Sequence, residues 1–131
     1  MDKIEKPTRI FLGSFFTIFG LNGLVMISTG NGFIPMPAPT ESFAIIMGHL
    51  LAVKFIMPVA KIIQVGSGIM LLNNKFINLA LVLLAPILFS IVAAHLVASD
   101  FAGVGFGLLA FVAWTVLIYL RRQEFIFFLK K

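Results

Sequence analysis

The stretch from Phe76 to Leu120, FINLALVLLAPILFSIVAAHLVASDFAGVGFGLLAFVAWTVLIYL, determines the fold class of this chain. It contains one carboxylate, that of Asp100, and neither lysine nor arginine. A helix needs about 20 mostly apolar residues to cross about 30 Å of hydrocarbon. The stretch therefore predicts two membrane spans, 76–98 and 103–120, joined by a turn in which Asp100 caps the second helix.

The whole chain has the same apolar character as this stretch. Of its 131 residues 60% are hydrophobic and 11% are charged, and the mean hydropathy is +1.10. A soluble domain is about 45–50% apolar and about 25% charged, so a water-soluble globular protein or a disordered chain is not expected. The absence of cysteine excludes disulfides, thiol redox relays and iron–sulfur ligation.

Two further spans are predicted upstream, at 10–28 and 55–72, and the long connection between them is rich in Gly and Pro at its start. Thr40 opens an apolar segment, 43–53, that is too short to cross the bilayer and is predicted as an interfacial helix. The alternative is one long helix kinked at Pro58. The prediction is an all-α, integral membrane four-helix bundle, up-down-up-down, forming a single domain over 1–131.

The basic residues give the expected orientation. With alternating spans, eight of them fall on one side: Lys3, Lys6, Arg9, Lys75, Arg121, Arg122, Lys130 and Lys131. The positive-inside rule then places both termini and the tail 121–131 in the cytoplasm. The first span has the basic start of a signal peptide, but its apolar run is too long and no cleavage motif follows, so a retained helix is favoured. The charges flank spans, so nucleic-acid binding is not expected.

Small residues are predicted to bring the helices together, because helix association in lipid depends on close backbone approach. The glycines expected on packing faces are Gly13, Gly20, Gly23, Gly68, Gly103 and Gly107. Such faces serve packing within one chain and self-association equally well.

Polar residues inside spans are the candidates for function, since they are costly in a bilayer. Lys61 and Gln64 are three residues apart, and Lys54 shares their face if the helix is continuous. We expect a polar pocket on the outer side for a quinone carbonyl, a lipid headgroup or a small anion, formed by Lys61, Gln64, His95, Glu41 and His49. The alternative is that Lys61 extends to the headgroups while Gln64 bonds a neighbouring helix. Neither a metal or haem site nor a catalytic nucleophile–base pair is predicted.

Four stretches carry a family resemblance: Arg9-Ile-Phe-Leu-Gly, Gly20-Leu-Asn-Gly-Leu, residues 57–68 and residues 81–90. Over its full length the chain resembles the DoxX-like family of small four-span bacterial and archaeal membrane proteins. The family pattern has Lys, two apolar residues, Glu and a downstream Gly. Lys61 and Gly68 match this pattern, whereas Gln64 replaces the acid.

The resemblance implies an inner-membrane accessory subunit of a quinone-linked redox system. It implies no intrinsic cofactor, with quinone as the expected ligand and other membrane subunits as partners, and no catalysis by the chain alone. Two alternatives stay open: a structural or assembly subunit without a ligand, and a carrier for a small solute or lipid.

Overall fold

A computed structural model describes residues 2–130 and all of their side chains except those of Asp2, Phe128 and Leu129. The described chain forms six helices: α1 (Asp2–Thr29), α2 (Glu41–Ala52), α3 (Ile56–Leu72), α4 (Ile77–Val97), α5 (Phe101–Leu120) and α6 (Arg122–Leu129). The prediction of an all-α protein is confirmed.

Three of these helices, α1, α4 and α5, are long and apolar enough to cross a membrane. Helix α3 has 17 residues and meets the same test only together with α2, from which it is bent by 94°. A membrane-embedded protein with three or four spans is therefore indicated. Helix α1 begins before the predicted span because the charged residues ahead of Ile10 continue the helix.

Helix α2 begins where the sequence predicts it, at an N-cap formed by Thr40. The Thr40 hydroxyl accepts a hydrogen bond from the backbone N–H of Phe43 at 3.3 Å, which satisfies one of the unpaired donors of the first turn. The chain breaks after α2, between residues 53 and 55, and Pro58 lies in the first turn of α3, where a proline is tolerated. The alternative of a single helix kinked at Pro58 is therefore wrong.

Four helices surround one apolar core. Helix α1 packs along α3, α3 against α4, α4 against α5, and α5 against α1. The buried residues at the centre are Leu12, Phe16, Leu71, Ile77, Ala80, Leu81, Leu84, Leu88, Ala110, Ala113 and Leu117. The outward faces carry large apolar side chains such as Ile18, Leu109 and Val112, which are between 48% and 60% exposed. Such faces suit a lipid environment.

Glycines give α1 and α3 their close approach. A Cβ atom on Gly13 would lie 3.0 Å from the carbonyl oxygen of Gly68, and one on Gly20 would lie 2.7 Å from a methyl group of Val65. A Cβ atom on Gly107 of α5 would lie 3.1 Å from a methyl group of Ile91 in α4. In contrast, a Cβ atom on Gly66 would meet no atom within 4 Å.

Two tight turns reverse the chain at the ends of α3 and α4. The first turn has two residues in the left-handed region, Asn74 (φ 56°) and Phe76 (φ 54°), and the second has one, Ser99 (φ 52°). In the second turn Ser99 N–H bonds the carbonyl of Leu96, and Asp100 N–H bonds that of His95 at 2.8 Å. This is the Schellman pattern, and it returns the chain so that Asp100 lies beside the last turn of α4.

Candidate functional site

Lys61 lies at the contact of α3 with α1. Its aliphatic stem passes over Gly23, where an added Cβ would lie 2.5 Å from the lysine Cδ. Its ammonium group donates a hydrogen bond to the Gln64 side-chain carbonyl at 3.3 Å. The glycine predicted for helix packing therefore makes space for a charged side chain instead of for a neighbouring backbone.

The polar side chains on this face of α3 are incompletely paired. None of the ion pairs among the described side chains includes Lys61. Ser67 follows Gln64 by three residues and is 1% exposed, and its hydroxyl is the buried side-chain polar atom that lacks a hydrogen-bond partner in the described part of the chain. Buried polar groups are normally hydrogen-bonded, so this face has unused donors.

His95 belongs to a second group of polar side chains, which lies at the turn between α4 and α5. Its Nδ1 lies 2.8 Å from Asp100 Oδ2, and its ring stacks on Phe43 of α2 with centroids 4.1 Å apart. Gly103 leaves room for this pair, because a Cβ there would lie 2.5 Å from the His95 ring. The Thr40 hydroxyl donates to the Ala98 carbonyl at 3.0 Å, which holds the start of α2 against the α4–α5 turn.

Asp100 lies at the predicted N-cap of α5 but uses its side chain for another contact. It occupies the N-cap position of α5, but its side chain makes no capping hydrogen bond. Its carboxylate bonds His95 instead and is almost fully buried, because the turn at Ser99 brings the two side chains together. The prediction that Asp100 is the N-cap residue of α5 is confirmed, but the side-chain hydrogen bond that an N-cap aspartate usually makes is absent.

The remaining predicted pocket residues lie on the surface of α2. Glu41 and His49 are both exposed, and His49 Nδ1 contacts the carbonyl of Ile45 at 3.1 Å within its own helix. Lys54 lies in the break after α2 and does not continue the face of Lys61. The structure thus brings Lys61 together with Gln64 and places His95 with Asp100, while no hydrogen bond joins these two pairs to each other, to Glu41 or to His49.

The opposite end of the helices carries a network that sequence reasoning missed. Arg121 donates to Glu5 at 2.6 Å, to Asn78 at 2.8 Å and to Glu124 at 2.7 Å. The spacing of Arg121 and Glu124 is a recognisable i, i+3 pair. The contact with Glu5 joins residues far apart in sequence, so no local signal reveals it.

Arg9 lies at the same end of the helices as Arg121, and we call this end the Arg121 end. The guanidinium donates to the backbone carbonyls of Leu71 and Leu72 at the C-terminus of α3, where carbonyls lack helical partners and a positive charge is favourable. Arg9 is 8% exposed. A basic residue predicted as a topology signal is therefore also a helix-capping residue.

Comparison with known proteins does not identify what these groups bind. No family model, no curated protein and no solved structure matches this chain. Within residues 2–130, no three His, Asp or Glu side chains come together in a way that could hold a metal ion. The DoxX-like resemblance stays a prediction.

Proposed function

We propose that the protein crosses the membrane four times as an up-down-up-down bundle, with both termini in the cytoplasm and α2 lying along the outer surface. The 94° bend between α2 and α3 supports this arrangement, because a helix perpendicular to a span lies parallel to the bilayer plane. The basic residues support the orientation, since Lys3, Lys6, Arg9, Lys75, Arg121 and Arg122 lie at or near the Arg121 end.

Within this arrangement, the protein is an accessory subunit of a quinone-linked membrane redox system and binds the quinone head beside α3. The observation that carries the proposal is the incomplete pairing of Lys61 and Ser67, which lie three residues before and three residues after Gln64. A cation without a carboxylate and a hydroxyl without an acceptor are both donors. A quinone head presents two carbonyl acceptors and no donors, so the chemistry is complementary.

The chain's own part in this function is binding and orientation. Lys61 Nζ would donate to one carbonyl oxygen of the head, and Gln64 holds the ammonium in place through its own carbonyl. The head would have to enter the helix contact that buries Ser67 for that hydroxyl to donate to the second carbonyl. A bound quinone supplies the capacity to accept electrons and protons. Gln64 cannot exchange a proton as the glutamate of the family pattern can, so this chain presents a ligand to a partner subunit that performs the electron transfer.

A binding titration tests the proposal. Purified protein in detergent is titrated with a short-chain quinone, and quenching of the fluorescence of Trp114, the single tryptophan, reports binding. A hydrogen bond to a charged group contributes about 1.5–3 kcal/mol, so Lys61→Met is expected to weaken binding roughly tenfold or more. Ser67→Ala removes a neutral hydrogen bond and is expected to weaken it less.

Lys54→Met is the matched control, because Lys54 is an exposed lysine outside the α3 face. Near-UV circular dichroism of Trp114 verifies that each variant is folded. Equal affinity of the wild type, Lys61→Met and Lys54→Met would show that the quinone does not bind at this face.

A structural subunit without a ligand is the second candidate. It is favoured by those charged side chains whose ion-pair partners lie within the chain. His95 with Asp100, and Arg121 with Glu5 and Glu124, have their partners inside the chain. Cross-linking in native membranes to a larger complex, together with no quinone binding by the purified protein, would support this candidate. Solute flux in liposomes containing this chain alone would instead support a carrier.

A further inference from the structure

An open groove lies at the Arg121 end, between the first turns of α1, the α3–α4 turn and the end of α5. It is lined by Glu5, Lys6, Arg9, Asn74 and Arg121. Three of these five residues are cations. The groove is distinct from the face of Lys61, which is near the opposite end of α1.

Arg9 is the unusual member of this lining. It is more than nine-tenths buried, and both of its hydrogen bonds leave from Nη1 to backbone carbonyls. Its Nε and Nη2 groups make no hydrogen bond within the described part of the chain and are not among its buried unpaired atoms, so they keep some accessible surface. No ion pair there includes Arg9. This guanidinium therefore has no anion beside it in the described part of the chain, and a buried charge without a counter-charge is costly.

The acid in the groove does not supply that anion. Glu5 bonds Arg121 at 2.6 Å, and Arg121 in turn holds Glu124. Both carboxylates are therefore engaged by Arg121, and neither forms an ion pair with Lys6 or Arg9. Counted together, Lys6, Arg9 and Arg121 outnumber Glu5 and Glu124 by one positive charge. A guanidinium fork with two free N–H directions matches the oxygens of a phosphate group.

We infer that this groove binds a phosphate group, and that the phosphate belongs to an anionic phospholipid of the leaflet around the Arg121 end. Arg9 directly precedes the apolar run that starts at Ile10, so it lies where the charged start of α1 meets the predicted hydrocarbon boundary. Ile10, the next residue, is 42% exposed and offers apolar surface to an acyl chain. Basic residues at this depth recognise anionic headgroups.

Native mass spectrometry of the full chain in detergent tests this inference. The protein is incubated with phosphatidylglycerol, phosphatidylcholine or inorganic phosphate, and the bound fraction is measured. We expect retained phosphatidylglycerol, with phosphatidylcholine bound more weakly because its headgroup carries no net charge. Arg9→Gln is expected to reduce the affinity for phosphatidylglycerol roughly tenfold or more, and Arg9→Lys to be intermediate because a point charge replaces the fork.

Lys6→Gln keeps the inference testable if Arg9→Gln does not fold, because Lys6 is exposed and makes no hydrogen bond within the described chain. Its matched control is Lys3→Gln, which removes an equal charge from α1 outside the groove lining. Lower phosphatidylglycerol retention in Lys6→Gln than in Lys3→Gln supports the site. Equal retention in these two variants, or in Arg9→Gln and the wild type, overturns it. Inorganic phosphate binding as tightly as the lipid would overturn the lipid assignment and identify a site for soluble phosphate.

Discussion

Replacing Gly68 by alanine tests the close approach of α1 and α3, on which the position of Lys61 depends. The added Cβ would lie 2.7 Å from the backbone nitrogen of Thr17 and 2.8 Å from the carbonyl oxygen of Gly13. These are backbone atoms of α1, so no rotamer change relieves the contact and the two helices must separate. Overpacking of this kind costs about 1–3 kcal/mol.

Gly66→Ala provides the matched control on the same helix, because a Cβ there meets nothing within 4 Å. Both substitutions gain roughly 0.5–1 kcal/mol from the loss of glycine flexibility, and this gain cancels in the comparison. The free energy of unfolding of Gly68→Ala is therefore expected to lie about 1–3 kcal/mol below that of Gly66→Ala.

The assay is unfolding by a denaturing detergent in mixed micelles, followed by the fluorescence of Trp114. This residue reports on tertiary packing because its Nε1 donates to the carbonyl of Leu81 at 2.8 Å and its ring contacts Phe89 and Phe111. If Gly68→Ala and Gly66→Ala unfold at the same denaturant concentration, then the helices do not approach closely at Gly68 and the reasoning is refuted.

Two further predictions concern the loop after α1 and the orientation of the chain. Asn22→Leu removes the acceptor of two backbone N–H bonds, from Phe33 at 2.7 Å and Ile34 at 2.9 Å, and is expected to lower the free energy of unfolding by about 1–3 kcal/mol in the same assay; an unchanged value would contradict it. Because the chain has no cysteine, the variants Ser42→Cys and Gln123→Cys each have a single thiol to label. A membrane-impermeant maleimide should label Ser42→Cys in intact cells and Gln123→Cys only after permeabilisation. Labelling of both variants from the same side would refute the orientation.

The extent of the apolar segments was predictable because the cost of a polar group in hydrocarbon acts residue by residue. Helix α3 ends at the predicted residue, Leu72, and α4 and α5 begin and end within two residues of the predicted spans. The start of α2 was predictable for a similar local reason. Thr40 accepts a bond from a backbone group three residues away, so the signal lies within one turn of sequence.

Pairing between polar side chains was less predictable, because it depends on the register of the helices and on the turns. His95 and Asp100 are five residues apart, but they meet only because Ser99 adopts a left-handed conformation. A non-glycine residue at that position gives no distinctive sequence signal for such a turn. Arg121 and Glu5 come from the two ends of the chain, and their contact follows from the packing of α5 on α1.

The unpaired cations follow from the charge balance of the chain. It has ten Lys and Arg residues against five acids, and three of those acids are already engaged, Glu5 and Glu124 with Arg121 and Asp100 with His95. Exposed lysines need no protein partner because water and lipid headgroups solvate them. Lys61 and Arg9 are held within helix contacts, where solvation is poor, and the described part of the chain gives neither a carboxylate. The two proposals above give each of them an acceptor from outside the chain, a carbonyl-bearing head for Lys61 and a phosphate for Arg9, and these are the ligands to test first.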